Sequence, residues 1–437
     1  MTSTQPPSPP LDLDRIATIV GTHQVVPWDQ IEITLQKRFA QSVTPDTQLE
    51  AVAYPETPEQ LSALVAYAQE HRIPLLPCGN CSKLHWGGLA QGTTLAISTA
   101  RLNRLIEHAV GDLTVTVEAG MKFDDLQATL AQANQFLALD PAYSDQATIG
   151  GILATADTGT LRHRYRGVRD MVLGISFVRA DGQLAKAGGR VGKNVAGYDL
   201  MKLFTGSYGT LGILNQVTLR TYPIPETSGT VLLTGESNKI HQATQTLLAS
   251  ALTPVTVDLL SPQLLQTLNS AGNPESLLGL AVRFHSLGES VKQQSQTLLD
   301  VGKTLELQGN LIENEAEFWQ GSQEFWQADN PEKIVCKIGV LPTAAVETLV
   351  QAKAPGKIHA GSGLGILQLQ ADIAVETLER LRQWCAAQGG FLSVLEAPRE
   401  LKDNIEVWGF SSNAENLMKR IRQKFDPNSL FSPQRLL

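Results

Sequence analysis

The 437-residue chain is 42% hydrophobic and 18% charged, with a formal net charge of −8. That is the make-up of a folded chain too long for one ordinary core, so two or three packed lobes are expected. The acidic excess argues against a nucleic-acid surface, which needs a basic stripe to replace phosphate counterions.

Residues 1–10 are proline-rich, with neither a basic start nor an apolar run, unlike a secretory leader. No run of about eighteen apolar residues occurs, so no direct membrane insertion is expected, and any membrane contact would pass through a partner. Four cysteines are too few for a disulfide framework, which sets a reducing, cytoplasmic compartment as the default. Cys78 and Cys81 form a C-x-x-C; without a second such pair it reads as two small residues in a turn rather than half a metal site.

Amphipathic helices are predicted over 13–19 and 30–39, then a strand over 51–53. Thr57-Pro58-Glu59-Gln60 is a helix start, with Thr57 as cap and Pro58 in the first turn. The helix should run to about 71 and bury Leu61, Leu64, Val65 and Ala68. A strand over 75–76 leads into a turn, Pro77-Cys78-Gly79-Asn80-Cys81-Ser82-Lys83, followed by a strand over 94–98. A strand over 113–118, a helix over 121–135 and a loop over 140–151 come next. Strands over 172–179 and 183–187 flank a hairpin turn, and a helix over 199–204 precedes a strand over 211–222. Pro223 and Pro225 mark a boundary. Beyond them, strands over 230–233, 278–284 and 333–340 alternate with helices over 240–250, 290–305 and 371–388, an α+β pattern around an antiparallel sheet.

The glycine turn lies between two strands and is not G-x-G-x-x-G, so no Rossmann site is read here. Successive backbone N–H groups in such a turn make an anion-binding concavity, to which Ser82 and Lys83 add donors. Thr148-Ile149-Gly150-Gly151 offers a second close backbone approach.

These segments resemble the vanillyl-alcohol-oxidase/p-cresol-methylhydroxylase (VAO/PCMH) type of flavoprotein. Residues 77–83 are similar to its first FAD diphosphate loop and 148–151 to its second flavin-contacting loop. Gly167 and Asp170 lie in the element similar to its next one. The sharpest likeness is Gly188-Gly189-Arg190-Val191-Gly192-Lys193-Asn194 onward through Gly209, Gly212 and Ile213. It resembles the two FAD-binding components of glycolate oxidase, the D-type and the E-type, and the E-type most of all. Phe425-Asp426-Pro427-Asn428-Ser429-Leu430-Phe431-Ser432-Pro433 resembles the segment that returns from the cap to the FAD domain.

The resemblance implies an α+β protein: an N-terminal extension (1–45), a two-lobed FAD-binding domain (46–226), an antiparallel-sheet cap (227–410) and a returning segment (411–437). It implies non-covalently bound FAD, oxidation of a small 2-hydroxy acid, and two partners, a D-like flavoprotein and an iron–sulfur subunit. The cap departs from the related pattern. Where the D-type flavoproteins carry a histidine-rich cluster, this chain has His359-Ala360-Gly361-Ser362, with the first histidine alone, so no metal site is expected. Candidate cations for a substrate carboxylate are Arg283 and Lys337, and candidate bases are His285 and His359. Each sits in or beside an alternating strand, where a solvated face is the competing reading. Two roles remain open for the chain: a catalytic dehydrogenase subunit, or an FAD-bearing structural or relay subunit beside a catalytic partner. A stand-alone oxidase of the same fold is a further alternative.

Overall fold

Helix starts in the computed structural model follow the capping chemistry of the sequence. The structure describes residues 11–189, 198–268, 277–327, 332–370, 375–410 and 412–437. Thr57 accepts from the Gln60 N–H at 3.2 Å, and Gln60 reaches back to the Glu56 N–H at 2.8 Å. The helix Pro58–His71 buries Leu61, Leu64, Val65 and Ala68, as its periodicity predicts, together with Tyr67.

The first lobe is a four-stranded sheet in the order Val25–Pro27, Ala51–Ala53, Leu95–Ser98, Leu75–Cys78. Its last three strands are parallel, and Val25–Pro27 is antiparallel to Ala51–Ala53. Residues from 11 onward, expected as an extension, are built into this lobe. Ile16 and Val20 of the helix Leu13–Val20 pack with Leu61 and Leu64 in one core.

The second lobe is a five-stranded antiparallel sheet in the order Leu105–Ala109, Thr114–Glu118, Ile213–Arg220, Val172–Val178, Leu184–Gly188. Two elements here differ from expectation. The helix predicted over 121–135 is Phe123–Ala131, and Gln135–Phe136 pairs instead with Tyr222–Pro223. Residues 149–151, read as loop, open a short helix, Ile149–Thr155, capped by Thr148. Two glycines hid it, because glycine counts against helix in any propensity sum.

The third unit is an eight-stranded, wholly antiparallel sheet. Its central strands alternate between two environments, since side chains in a strand point to opposite faces. Val257, Leu259, Val282, Ile334, Cys336 and Ile358 join the apolar core beneath the helices. Asp258, Arg283, Lys337, Lys357 and His359, one register position away, occupy the opposite face. The fold is therefore α+β, with an antiparallel-sheet domain set against a two-sheet domain.

The C-terminal segment ends in the first lobe. Leu75 donates to Leu430 O at 2.7 Å, Ser432 donates to Leu75 O at 2.8 Å, and Phe431 is fully buried there. Asp426, 1% exposed, folds the turn by accepting from the N–H groups of Leu430 and Phe431 at 2.8 Å each. Asp426→Ala would strand two buried donors. We expect a loss of about 2–4 kcal/mol, at roughly 1–3 per unsatisfied group, measured by urea denaturation.

Candidate functional site

The turn after Leu75–Cys78 faces the helix Ile149–Thr155 across a narrow gap. Gly79 packs so closely on Thr148 that an added Cβ would lie 2.2 Å from Thr148 Oγ1. The requirement is steric, since Gly79 and Gly150 do not adopt positive φ. Asn80 ties the two segments by donating from Nδ2 to Gln146 O at 3.2 Å, and Ser98 Oγ donates to Gly79 O at 2.8 Å.

Helix Ile149–Thr155 has its first amides already occupied. Ile149 N–H donates to Met121 O, Gly150 N–H to Ala119 O, and Gly151 N–H to Thr148 Oγ1. The turn is the opposite case. The N–H groups of Asn80, Cys81, Ser82 and Lys83 have no acceptor among the described residues. Four consecutive open donors form a concavity for an anion.

This turn is one wall of a cleft. Thr148, Gly150, Gly151 and Thr155 form the second wall, and Ser207, Tyr208, Gly209, Gly212 and Ile213 the third. Arg435, 3% exposed, completes it from the C-terminus. Its Nη2 donates to Leu84 O and Trp86 O, while Nε has no partner among the described residues. Burial pushes this guanidinium down to about 10, the mark of a cation short of counter-charge. Open amides, a hydroxyl at Ser82 and an under-partnered arginine suit a diphosphate.

Residues 49–188 match the FAD binding domain family. The chain carries an FAD-binding domain. Glycolate oxidase subunit GlcD of Bacillus subtilis is 33% identical over 51% of this chain and 48% of its own. Glycolate oxidase subunit GlcE of Escherichia coli is 35% identical over 38% of this chain and 47% of its own. The chain thus spans about half the length of the curated relatives it matches. A solved structure of p-cresol methylhydroxylase with substrate bound superposes with a TM-score of 0.73 at 15% identity, over 97% of this chain and 95% of that one. That likeness establishes a shared fold of the p-cresol-methylhydroxylase type.

The sequence-predicted residues of the FAD-binding domain are sorted by the structure. Pro77, Gly79, Asn80, Cys81, Ser82, Lys83, Thr148, Gly150, Gly151, Gly209, Gly212 and Ile213 all line the cleft. Ile149 is buried in the helix, outside the cleft lining. Gly167 and Asp170 also lie outside it, where Asp170 accepts from the Gly167 N–H at 3.3 Å and caps the helix Val168–Met171. Asn194 lies outside the described residues. Lys83 is not a free donor, because its Nζ is paired with Asp157 at 2.9 Å. Thr99, Tyr208 and Arg435 were not anticipated. The signal for Arg435 was a lone cation in the otherwise uncharged tail Gln434-Arg435-Leu436-Leu437.

A second chamber lies where the cap sheet meets the FAD-binding domain. Lys337, Lys357 and His359 line it from the sheet, and Trp86, Asp140 and Asp157 from the opposite side. The Lys83–Asp157 pair lies between the two spaces, since Lys83 lines the cleft and Asp157 the chamber. His359 Nδ1 is 2.7 Å from Asp258 Oδ1, and Lys357 Nζ is 3.4 Å from Ser322 Oγ. Lys337 has no hydrogen-bond partner among the described residues. Burial pushes both ammonium groups below the usual lysine range. It pushes the Asp140 carboxyl up, although Thr160 donates to it twice.

Arg283 and His285 lie on the same sheet face but outside the chamber lining. Arg283 donates from Nε to Ser228 Oγ at 3.1 Å and stacks over Trp319 at 5.9 Å. Among the described residues neither ring nitrogen of His285 has a hydrogen-bond partner, and burial with the nearby Arg283 pushes it down to about 4.

Three outcomes are expected of this cleft. Acid precipitation of the loaded chain should release all flavin to the supernatant; colour kept in the pellet would contradict non-covalent binding. Gly79→Val should abolish FAD binding in a soluble protein, because the side chain drives the turn off Thr148. Arg435→Met should weaken FAD by roughly ten- to a hundredfold, the worth of about 1.5–3 kcal/mol for a hydrogen bond to a charged group, read by fluorescence titration.

Proposed function

We propose that this chain is the FAD-bearing, E-type subunit of a glycolate-class 2-hydroxy-acid dehydrogenase, working beside a D-like flavoprotein and an iron–sulfur subunit that receives its electrons. The single observation that carries the reading is a chamber beside the FAD cleft, one ion pair away from it, with two lysines and a histidine–aspartate pair on its cap wall.

Oxidising a 2-hydroxy acid requires a cation for the carboxylate and a base for the hydroxyl proton. Lys337 is the better cation. Its ammonium has no hydrogen-bond partner among the described residues and burial pushes it below the usual lysine range, so a carboxylate there would be stabilising. Lys357 is the second cation, held near Ser322. Asp258 engages Nδ1 of His359 and so orients the ring, leaving Nε2 to accept the hydroxyl proton. Trp86 and Trp326 pack at 5.7 Å and keep water from one side. FAD, when bound, supplies the acceptor for the two electrons.

The relay reading is favoured by one feature: His359 is the sole counterpart of the related histidine cluster. Stopped-flow bleaching of flavin absorbance separates the two. We expect glycolate or D-lactate to bleach the loaded subunit. His359→Gln should slow the step by about a hundred- to ten-thousandfold, the usual worth of a general base. Lys337→Met should chiefly raise the substrate concentration needed. Bleaching seen only with the D-like partner present would establish the relay role. No bleaching under either condition would overturn the assignment of a 2-hydroxy acid.

A further inference from the structure

Beside the chamber, whose lining Trp86 shares, a cluster of buried polar groups centres on Glu396, at the end of the cap strand Phe391–Glu396. Its Oε1 accepts from Trp86 Nε1 at 2.9 Å and Tyr143 OH at 3.0 Å, and lies 3.0 Å from His85 Nε2. Its Oε2 is 3.4 Å from Lys333 Nζ of the cap. Three of these four partners belong to the FAD-binding domain. Burial alone would raise this carboxyl, yet His85, Lys333 and Trp86 outweigh it and hold the group at about 2. The folded pKa is below the ordinary 4.5, so this stabilisation is complete above that pH and is lost as pH falls toward about 2.

The neighbouring backbone is gripped in the same place. Gly87 N–H donates to Leu395 O at 2.8 Å, and buried Lys402 donates to the carbonyls of His85, Gly87 and Leu395. His85, Trp86 and Gly87 immediately follow the turn whose open amides face the FAD cleft. Leu84 and Trp86 also supply the carbonyls that hold Arg435 in that cleft.

We propose that Glu396 is a positioning residue, a cap carboxylate that holds residues 84–88 and through them the diphosphate turn, so that cap docking and FAD retention are one equilibrium. The cap contributes to FAD affinity without touching the cofactor. A chain whose cap is undocked has lost that grip, and its apparent affinity falls by the fraction of molecules still competent.

The test is FAD titration of the full-length apo-protein, paired with thermal unfolding. Glu396→Ala should raise the FAD dissociation constant by about tenfold or more, the scale expected when most molecules lose the competent arrangement. Glu396→Gln keeps an accepting oxygen for Trp86 and Tyr143 and should recover much of that loss. Trp86→Phe, which removes one donor and keeps a ring, should weaken FAD severalfold and decides the matter if Glu396→Ala does not fold. Leu280→Ala, a cavity in the cap's own core, should lower the melting temperature while leaving FAD affinity within about twofold, because it leaves the docked state intact. An unchanged constant in Glu396→Ala, or in Trp86→Phe where Glu396→Ala does not fold, or an equal loss of FAD in Leu280→Ala, would overturn the proposal. A wild-type chain that failed to take up FAD would instead count against the cofactor.

Discussion

Charge buried where two sheets meet is the constraint that organises this molecule. Bringing the polar face of the eight-stranded sheet against the FAD-binding domain removes lysines, carboxylates and histidines from water, and each then requires a partner. Some find one across the junction. Glu396 takes His85, Trp86 and Tyr143, and Lys402 takes the carbonyls of His85 and Gly87. Because these partners come from both units, breaking the junction would strand several charges at once. That makes docking specific as well as tight.

The groups that find no protein partner are then informative. The amides of residues 80–83, Arg435 Nε and the ammonium of Lys337 are open among the described residues, and they fall in two neighbouring spaces. A buried donor left open costs free energy in the empty protein, which a bound ligand can return. The cleft offers its open donors along one turn, in keeping with an extended dianion. The chamber offers point charges and an oriented imidazole, in keeping with a small carboxylate.

The two units supply different parts of this arrangement. The FAD-binding domain contributes backbone: a turn pressed on Thr148, a short capped helix and glycines that permit close approach. The cap contributes side chains, one face of a sheet whose other face is the apolar core. Alternation along Lys333-Ile334-Val335-Cys336-Lys337-Ile338 does both jobs with one strand. Among the described residues, no helix is long and apolar enough to cross a membrane.

Much of this was legible along the chain. Local chemistry declared itself: Thr57-Pro58 as a helix start, Gly79 in a strand-to-strand turn, the alternation at 333–340, and the family likeness at 77–83 and 148–151. Misreadings arose where local signals were ambiguous. Two glycines disguised the helix at 149–155, and Val25–Pro27 is too short to announce a strand. Alternation placed Arg283, His285 and Lys337 on one face without saying how far along that face the chamber extends. By itself, then, the sequence determined the glycine turn between strands and the sidedness of the cap strands, because each depends on neighbours a few residues apart. Only the tertiary structure decided which charges are paired and which are left open. Lys83 with Asp157, Glu396 with Trp86, and Arg435 in the cleft are separated by 74, 310 and some 350 residues, and nothing local records such contacts.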